Sequence, residues 1–296
     1  MTKFRAIVAC LIALLGALAL TSAARSEDNE MIVAGTEAPD GKFPYQVRLY
    51  NSASDLRGFC GGSLIAPQWV LTASHCLAEE KQGSYVARSP EAVVVGYGSN
   101  DRTKTTKVDV VKVIVRPEFL DKGLNGKADV ALLKLKQPIA NPKTVPLADP
   151  DADKKYLVPG AKVTVSGWGT LWSYDDDVAS LVGEFGPGME EKVTAPIKLR
   201  EVEVDWIDND ACNAAFAAKH AGAGIADTEF CAFQQGTNKD TCQGDSGGPM
   251  VVRDENGKFV QVGVVSWGRG CGGETPGVYA RVAKFKGWIA DTIKSN

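Results

Sequence analysis

The run Asp240-Thr241-Cys242-Gln243-Gly244-Asp245-Ser246-Gly247-Gly248-Pro249 sets a serine among glycines, with one acid beside it and another six residues ahead. A serine hydroxyl is a poor nucleophile at neutral pH and needs a base within hydrogen-bond reach. Glycine lets a chain bring its backbone N–H groups up to a ligand with no side chain in the way. Such donors can hold the oxyanion of a tetrahedral intermediate. Gly-rich turns with a serine are common, so the run needs partners elsewhere before it means catalysis.

The chain holds two histidines. His75 lies in Leu71-Thr72-Ala73-Ser74-His75-Cys76, at the end of the apolar run Trp69–Leu71, where a paired Cys76 would pin its backbone. His220 lies in Ala- and Gly-rich surroundings and reads as a surface or loop residue. Asp129 stands just before Val130-Ala131-Leu132-Leu133. A carboxylate buried there without a partner is costly, and a histidine N–H would satisfy it and fix the ring's tautomer. Read alone, Asp129 is better explained as a solvated strand-end residue.

Outward from these residues, the 296-residue chain is 44% hydrophobic and 23% charged, enough for one large or two medium cores. A formal charge of −3 argues against a phosphate-binding surface, so no nucleic acid partner is expected. Residues 1–24 read as a secretory signal: Lys3 and Arg5, then the apolar run Ala6 to Leu20, then Thr21-Ser22-Ala23-Ala24. The run falls short of the ~20 apolar residues of a membrane helix. The mature chain is therefore expected outside the cell (or in a periplasm) and free of the membrane. Seven cysteines are present, and losing Cys10 with the signal leaves six: Cys60, Cys76, Cys212, Cys231, Cys242 and Cys271. An even number in an exported chain suggests three disulfides, but the spacings do not choose among the pairings. No Cys-x-x-Cys occurs and histidine is too scarce for zinc, so no metal site and no cofactor are expected.

Short apolar stretches separated by Gly, Pro, Asn and Asp predict strands over Tyr45–Tyr50, Ala92–Val95, Val108–Val115, Val130–Leu135, Lys162–Ser166, Leu199–Val204 and Val260–Ser266. Many short strands with turn signals suggest a sandwich or barrel. Two helices are predicted. One runs to Ala218 with Asn209 as its cap, and a C-terminal one puts Val282, Phe285, Trp288, Ile289 and Ile293 on one face. The Pro- and Asp-rich stretch Ala140–Pro159 is the expected boundary between two halves.

Several stretches then agree with one family at once. Ile32-Val33-Ala34-Gly35, Thr72 to Cys76, Asp129-Val130-Ala131-Leu132, Ser166-Gly167-Trp168-Gly169, Asp240 to Pro249, Ser266-Trp267-Gly268 and Pro276-Gly277-Val278-Tyr279 resemble the chymotrypsin-like serine peptidases, trypsin-like members above all. The order His, Asp, Ser is that of this family and not of subtilisin or the α/β-hydrolases. The resemblance implies an all-β fold of two six-stranded antiparallel β-barrels with a C-terminal helix. The peptidase domain would be 32–296, with the first barrel about 32–145 and the second, with the helix, about 146–296. It implies a catalytic triad of Ser246, His75 and Asp129, an oxyanion hole from the N–H groups of Gly244 and Ser246, and the pairs Cys60–Cys76, Cys212–Cys231 and Cys242–Cys271.

Further implications concern specificity and activation. Asp240 would be the floor of a pocket for Lys or Arg, Gly268 and Gly277 its open walls, and Ser266 and Gly268 would align the substrate through backbone groups. Expected partners are protein or peptide substrates with Lys or Arg, and protein inhibitors, acting on a monomer. Residues 25–31 would be an activation peptide, and the Ile32 ammonium would pair with Asp245 after cleavage. Met31 departs from the Lys or Arg usual before that cut, so a different protease is expected to make it. Trp172–Pro196 is longer than the matching loop and acidic, and reads as a solvated surface loop. Gly96–Thr106 lacks the acids of a calcium loop, and Pro276 stands where sodium-activated relatives carry Tyr, so neither ion is expected. The rival expectation is a catalytically silent binding protein on the same scaffold.

Overall fold

The computed structural model describes residues 35–170, 195–219, 224–237, 239–272 and 275–296. The segment read above as a signal, Ile32, His220 and most of the acidic stretch Trp172–Pro196 lie outside the described residues.

The strands in chain order begin with β1 (Thr36–Glu37), β2 (Gln46–Tyr50), β3 (Cys60–Ala66), β4 (Trp69–Thr72), a separate hairpin of β5 (Ala78–Lys81) and β6 (Ser84–Ala87), β7 (Val94–Tyr97), β8 (Thr106–Val115) and β9 (Ala131–Leu135). Six of them close an antiparallel barrel in the order β2-β3-β4-β9-β8-β7. Then come β10 (Lys162–Gly167), β11 (Arg200–Ile207), β12 (Glu229–Phe233), β13 (Pro249–Arg253), β14 (Phe259–Trp267) and β15 (Gly277–Arg281). These run β11-β10-β13-β14-β15-β12, and β12 returns to β11 at Asp205–Phe233 through Ile207–Cys231, closing a second barrel of six. β1 pairs with the outer side of β11.

The patterning behind these strands is visible residue by residue. In β11, Val202, Val204 and Trp206 face the second core while Glu201, Glu203 and Asp205 alternate with them on the other face. That is the period-two alternation of a half-buried strand. β8 shifts register between Val110 and Lys112, and the extra residue Val111 is turned out to solvent, 44% exposed. Val47, Leu71, Val95 and Leu133 fill the first interior, and Val163, Phe230, Met250 and Val262 the second. Each such side chain stabilises by about 1.5–3 kcal/mol when buried. Exposed ion pairs such as Lys136–Asp109 add little.

Among the described residues four helices decorate the barrels: α1 (Pro117–Lys122), α2 (Pro150–Tyr156), α3 (Asn209–Lys219) and α4 (Val282–Ser295). The predicted cap of α3 is corrected. Asp208 accepts the Ala211 N–H at 2.7 Å, while the Asn209 amide donates to the carbonyls of Ala226 and Glu229. Aspartate and asparagine cap equally well, so composition alone could not separate these neighbours. The predicted apolar face of α4 is observed: Val282, Phe285 and Ile289 are buried, with Trp288 and Ile293 packed beside them.

The barrels meet through polar groups and bare backbone. Ser166 Oγ donates to Gln46 Oε1 at 2.8 Å, and Ser63 Oγ to Gln261 Oε1 at 2.6 Å, both buried. Gly61 N–H donates to the Ser246 carbonyl at 2.8 Å. A Cβ on Gly247 would lie 2.2 Å from Thr72 Oγ1, so only glycine permits this approach.

Candidate active site

β4 ends at Thr72, and the chain tightens into a one-turn 3-10 helix, Ser74–Cys76, that carries His75. The Cys60–Cys76 disulfide holds one side of that turn. Ser74 Oγ holds the other by donating to the Val130 carbonyl at 2.7 Å. Asp129 enters from the segment before β9 and is 4% exposed. Its Oδ1 accepts the His75 backbone N–H at 2.9 Å, and its Oδ2 faces His75 Nδ1 at 2.7 Å. Ser266 Oγ, from β14 of the second barrel, donates to the same Oδ2 at 2.5 Å. A carboxylate beside Nδ1 keeps the proton there and leaves Nε2 as the basic nitrogen.

Electrostatics follow the geometry. Burial alone would pull the His75 ring down, but the charge and hydrogen bond of Asp129 outweigh it and hold the ring above its usual value. Burial alone would lift Asp129, and the His75 charge with the His75 and Ser266 hydrogen bonds holds it below the usual carboxylate range.

Ser246 lies between Asp245 and the glycines that touch the first barrel. The Gly247 backbone sits against Thr72 and Ala73, the residues leading into His75, which sets the serine's segment beside the imidazole's turn. The Ser246 hydroxyl makes no hydrogen bond among the described residues and lines a groove of about 200 Å³ shared with Asp240, Ser266, Gly268 and Gly277. The backbone N–H groups of Gly244 and Ser246 likewise donate to no group among the described residues. Gly244 has φ +96°, a conformation that L side chains rarely adopt. A larger cavity, about 610 Å³, lies on the first barrel beside Phe43, Tyr97 and Ile139, but no histidine or cysteine lines it.

Asp240 is 9% exposed and accepts the N–H groups of Thr241 at 2.7 Å and Gly272 at 3.0 Å. Burial pushes its carboxyl up to about 7, against those two donors, and Asp245 adds repulsion. A Cβ on Gly277 would lie 3.2 Å from Asp240 Oδ1, and one on Gly268 would meet nothing nearer than 3.9 Å. The Cys242–Cys271 disulfide joins the two walls of this groove, and Cys212–Cys231 ties α3 to β12. Asp245 is 1% exposed, accepts from Gly169 N–H at 2.7 Å and Cys242 N–H at 3.0 Å, and is pushed up to about 6 by burial. Asp101, the lone acid of Gly96–Thr106, accepts from Thr103 N–H and hydroxyl and pairs with Lys104.

The structure thus gathers His75, Asp129, Ser246, Gly244, Asp245, Asp240, Ser266, Gly268 and Gly277, while Ile32 lies outside the described residues. Sequence reading missed the Ser266 side chain, which had been assigned only backbone duties. It also missed Glu229, whose Oε1 accepts the Trp267 indole N–H at 2.9 Å while Lys127 pairs with its Oε2 at 3.3 Å. Lys127 also sits 5.2 Å above the Trp267 ring. Nothing in the local sequence around Glu229 marks partners so far away along the chain.

Comparison with known proteins gives the chain's family. A family model described as Trypsin matches residues 32–289. The chain is 32% identical over 295 residues to the serine proteinase stubble of Drosophila melanogaster, a match covering 95% of this chain. It spans 34% of that relative's length.

Proposed function

The chain belongs to the trypsin family, and on that premise we propose that it is a secreted serine endopeptidase that cuts after Lys or Arg. The observation that supports this most is the 2.7 Å contact of His75 Nδ1 with buried Asp129, on a turn packed beside the Ser246 segment.

In this reading the substrate lies along β14 as an added strand, with its Lys or Arg side chain reaching Asp240. Ser246 Oγ attacks the scissile carbonyl carbon while His75 Nε2 takes the hydroxyl proton. The C=O π pair moves to oxygen, and the N–H groups of Gly244 and Ser246 hold that oxyanion. Asp129 stabilises the imidazolium and does not itself take the proton. Collapse breaks the C–N bond, His75 returns the proton to the leaving amine, and an acyl-Ser246 remains. Water then repeats the sequence, with His75 again as base. Asp240 gives selectivity because a buried carboxylate that, among the described residues, has two backbone donors gains most from a cation.

Synthesis as a precursor fits the same residues. Cleavage before Ile32 would free an ammonium able to compensate Asp245, which accepts from the backbone N–H groups of Gly169 and Cys242. Among the described residues no helix is long and apolar enough to cross a membrane, and the leading segment supplies the reason to propose secretion. The test is hydrolysis of a chromogenic Arg amide by the secreted protein, with Ser246→Ala as control. Turnover lost in the control is the expected result. Equal signals, or none from either, would remove the peptidase reading in favour of a silent scaffold.

A further inference from the structure

Arg48 is the most deeply buried arginine among the described residues, 2% exposed in the middle of β2. Among the described residues it meets no carboxylate at ion-pair distance, and all its hydrogen bonds go to carbonyls. Nε donates to Arg57 O at 3.2 Å and Nη2 to Gly58 O at 3.1 Å, which fastens a neighbouring loop. The third bond crosses to the other barrel: Nη1 donates to the Gly244 carbonyl at 2.5 Å. Room for the guanidinium comes from Gly58, at φ +69°, where a Cβ would lie 2.6 Å from Arg48 Nε.

A buried cation without a hydrogen-bonded acid is costly, and a plain apolar plug would fill this interior more cheaply. What the arginine adds is direction, because its planar fork fixes several acceptors at once. The peptide it grips joins Gly244 to Asp245, and the other side of that peptide is held as well, Asp245 N–H donating to Cys242 O at 2.9 Å. Both polar ends of one peptide are therefore fixed. Gly244, at φ +96°, has no side chain to resist rotation. The grip fixes rotation about the Gly244 Cα–C bond, and with it the angle between the Gly244 N–H and the segment that carries the Ser246 N–H. The nearby Asp245 carboxylate supports the guanidinium electrostatically from beyond hydrogen-bond distance.

We propose that Arg48 is a positioning residue for catalysis: from the first barrel it holds the Gly244 carbonyl and so keeps the anion-binding N–H groups of Gly244 and Ser246 aimed at the substrate carbonyl. This rests on Ser246 being the nucleophile. Two probes on the processed enzyme separate positioning from mere structure. Benzamidine needs only the Asp240 groove. A peptidyl-arginine aldehyde forms a hemiacetal with Ser246, in which Oγ bonds to carbon, the C=O π pair moves to oxygen and the hydroxyl proton passes to His75. Arg48→Met should lower kcat and aldehyde affinity by about 10²–10³-fold, the scale of losing one oxyanion donor, with benzamidine affinity unchanged. Arg48→Lys, which can still reach one carbonyl, should recover part of the loss. Parental kcat and aldehyde affinity in Arg48→Met would overturn the proposal, as would equal loss of both ligands. Should Arg48→Met fail to fold, the same split read on Arg48→Lys decides, and no split there counts against it. Failure of the nucleophile reading looks different: the parent enzyme itself would neither turn over an Arg amide nor bind the aldehyde.

Discussion

Asp129, from the first barrel, and Asp240, from the second, are both nearly buried, at 4% and 9% exposure, yet their surroundings drive them in opposite directions. Asp129 faces an imidazole, a backbone N–H and the Ser266 hydroxyl, and is held below the usual carboxylate range. Asp240 has two backbone donors and is pushed up to about 7, and Asp245 nearby is pushed up to about 6. One acid is complete within the fold, whereas the other two lie where an added cation would gain most. The difference separates a group that orients a base from groups poised to receive charge from outside.

The comparison breaks most visibly at Asp129. Asp129→Asn keeps the shape but gives His75 Nδ1 an ambiguous partner, and kcat should fall about 10⁴-fold, the loss this family's arrangement is known for. Steady-state kinetics on an Arg amide would check it, and a loss under tenfold would mean the acid merely packs. Next in size, Asp240→Ser should lower kcat/KM for Arg and Lys substrates by about 10²–10³-fold, as removing one partner of a buried charge pair does. Unchanged hydrolysis of Arg esters would refute the groove assignment.

A pH titration sharpens the contrast. Asp240 carries a raised value, so its ionisation is disfavoured by the fold: that penalty is absent in acid and fully present above about 7. A bound cation removes it. Benzamidine affinity should therefore rise with pH up to about 7 and then level, with the stabilisation of Tm by benzamidine following the same curve. Asp129 has the opposite sign, since stability from a depressed carboxyl is lost only as pH falls through its low folded value. A benzamidine affinity independent of pH from about two units below that midpoint to about one unit above it would contradict the burial argument. The smallest effect is expected for Ser266→Ala. Removing one donor from Asp129 Oδ2 makes that oxygen a better acceptor for His75, so the acid limb of kcat/KM should move to higher pH, with kcat falling about tenfold at most. An acid limb that stays in place would show that the hydroxyl does not tune the pair.

Much of this was readable before any coordinates. Strand periodicity located four of the six strands of the first barrel and three of the six of the second, and the runs around His75, Asp129 and Ser246 named segments that the fold packs against one another. The register shift at Val111 was not readable, because the adjacent valines Val110 and Val111 hide which of the two is extra. Ser266, Arg48 and Glu229 escaped for a different reason. Their partners are 137, 196 and 38 residues away, and their roles depend on which oxygen or indole the folded chain sets before them. A buried arginine in the strand Gln46–Tyr50 reads, from the sequence alone, like an ordinary exposed residue alternating with apolar ones.

The two ends of the described chain are exchanged between the halves. Residues 36–37 pair with β11 of the second barrel, and Arg200 Nη2 donates to the Gly35 carbonyl at 2.7 Å. At the other end, α4 sends Phe285 and Trp288 under the Arg116 guanidinium, and Asn296 accepts from Lys112 at 2.8 Å. Each barrel therefore carries a piece of chain belonging to its neighbour. A split placed between them would leave both fragments unfinished, each finding its missing strap only on the other. Such a molecule suits a two-fragment reporter whose signal appears on reassembly, and it leaves little freedom for the cleft to open like a clasp.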